Sequence, residues 1–285
     1  VGGLLIALPG PPDEPAPAGP SADGLGARLD EFAAALRDDV PYVPPDERQR
    51  RAFVEAVTAL GSGSSEASGA TEALGLTVER GTDAHTGRPY VAVASAPDAK
   101  RGWGFYVIDA SRPARVVVQV PHPANDLRTD EIGVELFRRV PGAVLAVAGT
   151  HRRVAGGAGD AAHRTDSGFH ALAEEHARRG LPQVQLHGFE DDSLPSADVV
   201  LSPGSGEAGA LVERVAAGLE GELRVCRAWE RDCGELEGRR NKQGEAAARH
   251  GTVFVHVEVN RTVREDPAAW REVVRVIGDA LGDGD

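Results

Sequence analysis

VVVQVPHPANDLRTDEIGVELFRRVPGAVLAVA, residues 116–148, decides the fold. Val116 to Val120 is an apolar run of strand length, and Pro121 to Asp126 is a polar turn. Apolar residues then recur with helical spacing through Asp130 to Val140, and Ala143 to Ala148 is a second apolar run. Strand, helix and strand in this order are the signature of a sheet whose faces are covered by the connecting helices. The rhythm continues to the C-terminus. Val184 to Leu186, Val199 to Leu201, Leu223 to Ala228 and Val253 to Val259 read as strands. Asp166 to Arg179, Glu207 to Leu219, Asn241 to His250 and Ala268 to Leu281 read as helices. The fold class expected is α/β, with a mostly parallel or mixed sheet and helices on both faces.

Working outward toward the N-terminus, the pattern changes. Leu25, Leu29, Phe32 and Leu36 mark one amphipathic helix, and Phe53, Val57 and Leu60 mark another that starts after Pro44-Pro45-Asp46. GSGSSEASGA, residues 61–70, has the composition of a flexible loop. Three β-rich runs follow: Leu76 to Glu79, Tyr90 to Ala94 and Trp103 to Ile108. The expected organisation is a tether or signal remnant over 1–24, a small α+β region over 25–110 and a catalytic α/β domain over 111–285. The tether reading rests on the apolar opening VGGLLIAL and the Pro/Ala/Gly/Ser run after it, and it predicts export from a bacterial-type cell.

Composition narrows the function classes. Thirty-one basic against 44 acidic residues give a net charge of -13, which argues against a nucleic-acid groove or an anionic-membrane binder as the main role. No run of 18 apolar residues is present to span a membrane. The two cysteines, Cys226 and Cys233, lie seven apart, outside the C-x-x-C spacing of redox and zinc motifs, and can be bridged or reduced. There is no G-x-G-x-x-G, P-loop, G-x-S-x-G or H-E-x-x-H motif.

Ligands of open α/β sheets sit beyond the carboxyl ends of the strands, so the residues that follow each strand carry the chemistry. They are Pro121-His122-Pro123 after the first, Thr150-His151-Arg152-Arg153 after the second and His187-Gly188 after the third; Glu258 stands inside the apolar last strand. His122 and His187 as imidazole ligands, one carboxylate after His122 and a free carboxylate as base would make an open catalytic zinc site. Two carboxylates compete for the third position. Glu131, in the first turn of a helix capped by Thr129, is preferred because rigid elements position ligands better, with Asp126 in the loop as the alternative. Glu258 either pairs with Arg261 or Arg264 or acts as the base. Arg164 and His163, in the loop before Asp166, are candidate substrate contacts. The remaining histidines, His256 included, are read as surface or helical residues.

This order of residues resembles the zinc amidohydrolases related to carboxypeptidases: N-formylglutamate amidohydrolase and poly-γ-glutamate hydrolase, with N-acetylmuramoyl-L-alanine amidase more distant. The likeness covers Val116 to Arg264, ending in VEVNRTVR. It implies Zn²⁺ on His122, Glu131 and His187, water activation by Glu258, and a substrate carboxylate or carbonyl on Arg152. One departure stands out. The compact His-x-x-Glu spacing of carboxypeptidases falls on Asn125, so the acid must be Glu131 or Asp126.

The resulting expectation is a zinc-dependent hydrolase of an amide bond in an acidic glutamyl-type or peptidoglycan-type substrate, small molecule or peptide. Two rivals compete with it. One is a non-catalytic module on the same fold that binds an anionic polymer or peptide; the other is a metal-free hydrolase using Ser205.

Overall fold

The computed structural model describes residues 24–96 and 100–282. The expected tether lies outside the described residues, apart from Gly24. Among the described residues nine strands form one mixed sheet in the order β1-β2-β3-β5-β4-β6-β9-β7-β8. They are β1 (Thr77–Thr82), β2 (Pro89–Ala94), β3 (Phe105–Asp109), β4 (Val116–Val120), β5 (Ala143–Val147), β6 (Gln183–Phe189), β7 (Val199–Ser202), β8 (Val225–Arg227) and β9 (Phe254–Asn260). β5, β4, β6 and β9 run parallel at the centre; β7 joins β9 antiparallel, and β3 joins β5 antiparallel.

Through that last pairing Phe105 to Ile108 meet Val144 to Val147, so β1 to β3 extend the same sheet. β3 is buried throughout because apolar clusters cover both faces of the sheet there, Phe105 and Val107 entering one and Tyr106 and Ile108 the other.

Among the described residues there are ten helical segments: α1 (Gly24–Ala34), α2 (Glu47–Gly61), α3 (Glu66–Ala73), α4 (Thr129–Arg139), α5 (Val154–Gly157), a short turn in which Ala155 and Gly156 are left-handed, α6 (Gly168–Arg178), α7 (Ala210–Leu219), α8 (Lys242–Arg249), α9 (Arg261–Glu265) and α10 (Pro267–Gly282). α2 starts where the sequence puts it. Asp46 accepts from the Gln49 amide at 2.8 Å and Gln49 Oε1 accepts from the Asp46 amide at 2.9 Å, a reciprocal cap that satisfies two otherwise orphaned donors. α3 is a correction, since residues 61–70 were expected to be loop. Ala67 and Thr71 bury against the α2 side, and the Thr71 hydroxyl donates to the Ala67 carbonyl. Tertiary burial here overrides a Gly/Ser-rich composition.

The sheet has two chemically different faces. Val116, Val118, Val120, Leu186, Val255, Val257 and Val259 enter one apolar core under α1, α4, α7 and α10. On the other face Val91, Val93, Val117, Val144 and Ala146 pack under α2 and α6. There, toward the centre, the strands turn polar: Gln119 of β4, Gln183, Gln185 and His187 of β6, and His256 and Glu258 of β9 are all buried. Strand side chains alternate, so one strand can be valine on one face and glutamine or histidine on the other.

Candidate metal centre

Three of these polar strands deliver their residues to one spot. His122 follows β4 directly. His187 sits near the end of β6 and is in register with Glu258 on β9. Asp126 is brought back to His122 by a single turn, its amide donating to the His122 carbonyl at 2.8 Å. The turn is locked from outside. Thr129 donates its hydroxyl to the Asp126 carbonyl at 2.7 Å, and Arg264 donates to the carbonyls of Leu127, Phe189 and Val259. Gly188 makes room for that guanidinium, because a Cβ there would stand 2.5 Å from its central carbon.

His122 Nδ1 and His187 Nδ1 each lie 3.3 Å from Asp126 Oδ2, with ring centroids 5.1 Å apart. The three ligand atoms lie within 4.8 Å of one another, and all three residues are buried. The far nitrogens are held too. His122 Nε2 meets Asp160 Oδ1 at 2.8 Å, and His187 Nε2 meets Gln185 Oε1 at 2.7 Å. Gln185 is fixed in turn by Gln119, Asn241 and Gln243. Outer partners of this kind set the tautomer and the aim of a ligating imidazole.

Asp160 is the member the sequence reading did not name. It also accepts from Arg152 at 3.0 Å and contacts His163 Nδ1 at 3.1 Å, so one carboxylate orients a candidate ligand and a candidate substrate contact together. Asn125, where the compact spacing would place an acid, instead receives the Arg152 amide and contacts His151 Nε2 at 3.1 Å.

Glu258 and His256 complete a cavity of about 280 Å³ whose lining also includes Arg152, His163 and Arg240. Glu258 Oε2 and His256 Nδ1 are buried without a hydrogen-bond partner among the described residues. The bland partners expected for Glu258 are engaged elsewhere: Arg264 with the three carbonyls, Arg261 with Glu190 and Glu265. Burial, then the nearby Asp126 charge, pushes the Glu258 carboxyl well above its usual range. Burial likewise holds His256 and His187 low. At Asp126, burial acts upward, yet hydrogen bonds from His122 and His187 hold the carboxyl far down. His122 is the balanced one: burial lowers it, and the bonds to Asp126 and Asp160 raise it above its ordinary value.

Several expectations change here. Glu131, the preferred third ligand, is outside the group: its carboxylate faces Arg128 at 3.3 Å and is partly exposed. The reason is helical phase. α4 begins at Thr129, which is its first residue rather than its cap, so Asp130 turns inward and Glu131 outward. Asp126 takes the position beside both imidazoles. Arg164 is drawn off by Asp166 at 2.6 Å and does not line the cavity, whereas Arg152 does. His256, read as a surface residue, is buried with its ring 4.7 Å from that of His187. Ser205 is exposed and lies outside the cavity.

The donor set fits a catalytic zinc. Two imidazole nitrogens and one carboxylate oxygen converge, their outer atoms are oriented, and beside them stands the buried Glu258 carboxylate, with Oε1 3.9 Å from His256 Nε2 and Oε2 without a hydrogen-bond partner among the described residues. Cys226 and Cys233 form a disulfide at the foot of the segment that carries Gly238 to Asn241 into the cavity wall.

No protein-family profile and no curated protein matches the sequence. Among solved structures, the chain is similar to a bacteriophage poly-gamma-glutamate hydrolase, with 13% identity over 60% of this chain and 84% of that one, at a TM-score of 0.42. It is similar to zinc-free YndL, with 10% identity over 62% of this chain and 89% of that one, also at 0.42. The LapA aminopeptidase of Legionella pneumophila aligns at 9% identity over 97% of this chain and 78% of that one, at 0.38. At these scores the functional reading falls to the geometry of the site itself. Among the described residues no helix is long and apolar enough to cross a membrane.

Proposed function

We propose that this protein is a zinc-dependent hydrolase of amide bonds in acidic substrates of glutamyl or peptidoglycan type. The observation that carries the reading is the convergence of His122 Nδ1 and His187 Nδ1 on Asp126, beside a buried Glu258 oxygen without a hydrogen-bond partner among the described residues. An unpartnered buried carboxylate costs stability, and such a cost persists where the group has a chemical task.

His122, His187 and Asp126 would hold the metal. Zinc, when bound, supplies Lewis acidity that polarises the amide carbonyl and lets water ionise near pH 7, at about 7. Glu258 is placed to take the proton from water at Oε2 and return it to the leaving nitrogen. Arg152, steadied by Asp160, docks a substrate carboxylate at the cavity rim, where Arg240 adds a second positive group. Substrates with a free carboxylate follow from that rim, small molecule or peptide alike. The disulfide is at home in an oxidising compartment, which supports an exported enzyme.

The deciding experiment is metal content by mass spectrometry on purified protein, alongside His122→Ala and His187→Ala variants that keep the parent circular dichroism spectrum. Near-stoichiometric zinc in the parent and its loss in both variants is expected. Absence of zinc after incubation with the ion would overturn the reading and favour a non-catalytic anion-binding module.

A further inference from the structure

A second cavity, of about 660 Å³, opens at the opposite edge of the sheet from the candidate metal centre. It lies where β3 ends and β4 and β5 begin, between the C-terminal turns of α2 and α6. Its size falls within the range of small-molecule sites, and its floor is apolar: Val57, Leu60, Ile108, Val144 and Leu181.

Two polar atoms in this wall have no hydrogen-bond partner among the described residues, His176 Nδ1 and Thr58 Oγ1. His176 is 6% exposed, and burial, with Arg179 adding to it, pushes its pKa down to about 4. The imidazole is therefore neutral at pH 7, able to donate or accept one hydrogen bond at the orphaned nitrogen.

The rim carries the charge. Arg80, Arg112 and Arg179 line it, and none of the described lining residues is acidic, in a chain of net charge -13. Arg179 is shared with Glu175, whereas Arg80 and Arg112 have no ion pair among the described residues. The stem of Arg112 lies over Gly142, where a Cβ would come within 3.0 Å of it and φ is +80°. Opposing these cations are the carbonyl ends of α2 and α6, worth about half a charge each. With those and Glu175 set against three guanidiniums, roughly one positive charge remains. That balance suits a monoanion better than a polyanion.

We propose that this cavity is a binding site for an apolar monocarboxylate, such as a medium-chain acyl acid, with its chain on the Val57–Leu60–Ile108 floor and its carboxylate at Arg80 and Arg112. The site is independent of the metal centre and of the hydrolase reading.

The test is calorimetric titration with decanoate, below its micelle concentration, on the intact chain with and without chelator. Saturable binding of one decanoate per chain is expected, unaffected by chelator. Arg112→Ala and Arg80→Ala should each weaken it about tenfold, the loss of one charge-assisted contact. Neutral 1-decanol should bind at least about tenfold more weakly, for the same reason. Gly61→Leu, at an exposed helix end whose Cβ would stand 3.5 Å from Ile108, should fill the cavity and abolish binding while circular dichroism stays unchanged. No binding to the parent, or equal binding to the parent and to Gly61→Leu or the arginine variants, would overturn the proposal.

Discussion

The two faces of the central strands are built from alternate residues of the same strands yet obey different rules. On β9 the odd positions are Val255, Val257 and Val259, fully buried in the larger core; the even positions include His256 and Glu258, buried but each with a polar atom that has no hydrogen-bond partner among the described residues. β6 repeats the division, with Val184 and Leu186 on one side and Gln183, Gln185 and His187 on the other. One face contributes stability through apolar burial. The other gives some of it up to hold ionisable groups where a ligand can use them, the trade between activity and stability expected of catalytic sites.

The comparison is broken most sharply at Glu258. Glu258→Gln keeps the shape and removes the oxygen that accepts the proton, so turnover of a glutamyl amide should fall by roughly 10²–10⁴-fold, the worth of a general base. Metal content should stay at the parent level. The same variant should melt no lower than the parent, because a buried carboxyl that burial already holds toward its neutral form becomes a neutral amide of the same shape. Parent-like turnover would remove Glu258 from the mechanism.

The opposite face should answer in the opposite currency. Leu186 is fully buried one residue before His187 and points into the valine core. Leu186→Ala should cost about 2–5 kcal/mol of stability in denaturant titration, the usual loss for a buried leucine. Activity per folded molecule should change little. A large loss of kcat in the folded fraction would mean that the two faces are coupled through β6.

Much of this division was legible in the sequence. The runs QVQLHGF and FVHVEVN alternate polar and apolar residues, and period two in a buried strand means that one face is polar. His122, His187 and Glu258 stand out because each interrupts or follows such a run. Asp126 was harder to choose over Glu131, because the decision turns on where α4 starts, and helix starts are the least determined part of a sequence reading. The turn at His122 closes four residues on, which returns Asp126 to the imidazole and leaves Glu131 facing Arg128. Asp160 carries no local signal at all. It lies 38 residues from His122, in a loop whose path depends on the positive φ of Ala155, Gly156 and Gly157, and only tertiary structure brings it to the ring.

Asp160 offers the next test, smaller in effect and confined to the polar face. Asp160→Asn preserves size and a hydrogen bond to His122 Nε2 but removes the charge that orients both His122 and Arg152. Zinc affinity, measured by competition with a chromophoric chelator, should fall about 10–100-fold, as for other outer partners of ligating histidines. Unchanged affinity would mean that His122 needs no carboxylate behind it.

The smallest effect separates two arginines that the sequence treated alike. Arg152 reaches the cavity and is partly buried, so its charge acts where water is scarce; Arg164 is exposed and spends its guanidinium on Asp166. Charge-assisted contacts to a docked carboxylate are worth about tenfold or more in affinity, whereas an exposed ion pair is worth at most about 1 kcal/mol and faces solvent either way. Arg152→Ala should therefore raise KM for a carboxylate-bearing amide by about tenfold. Arg164→Ala should leave it within about twofold, since only an exposed pair is lost. Equal effects of the two substitutions would place the substrate across the whole 152–164 loop. The polar face would then extend beyond the strands that build it, and Asp160 would be the hinge of that surface rather than its edge.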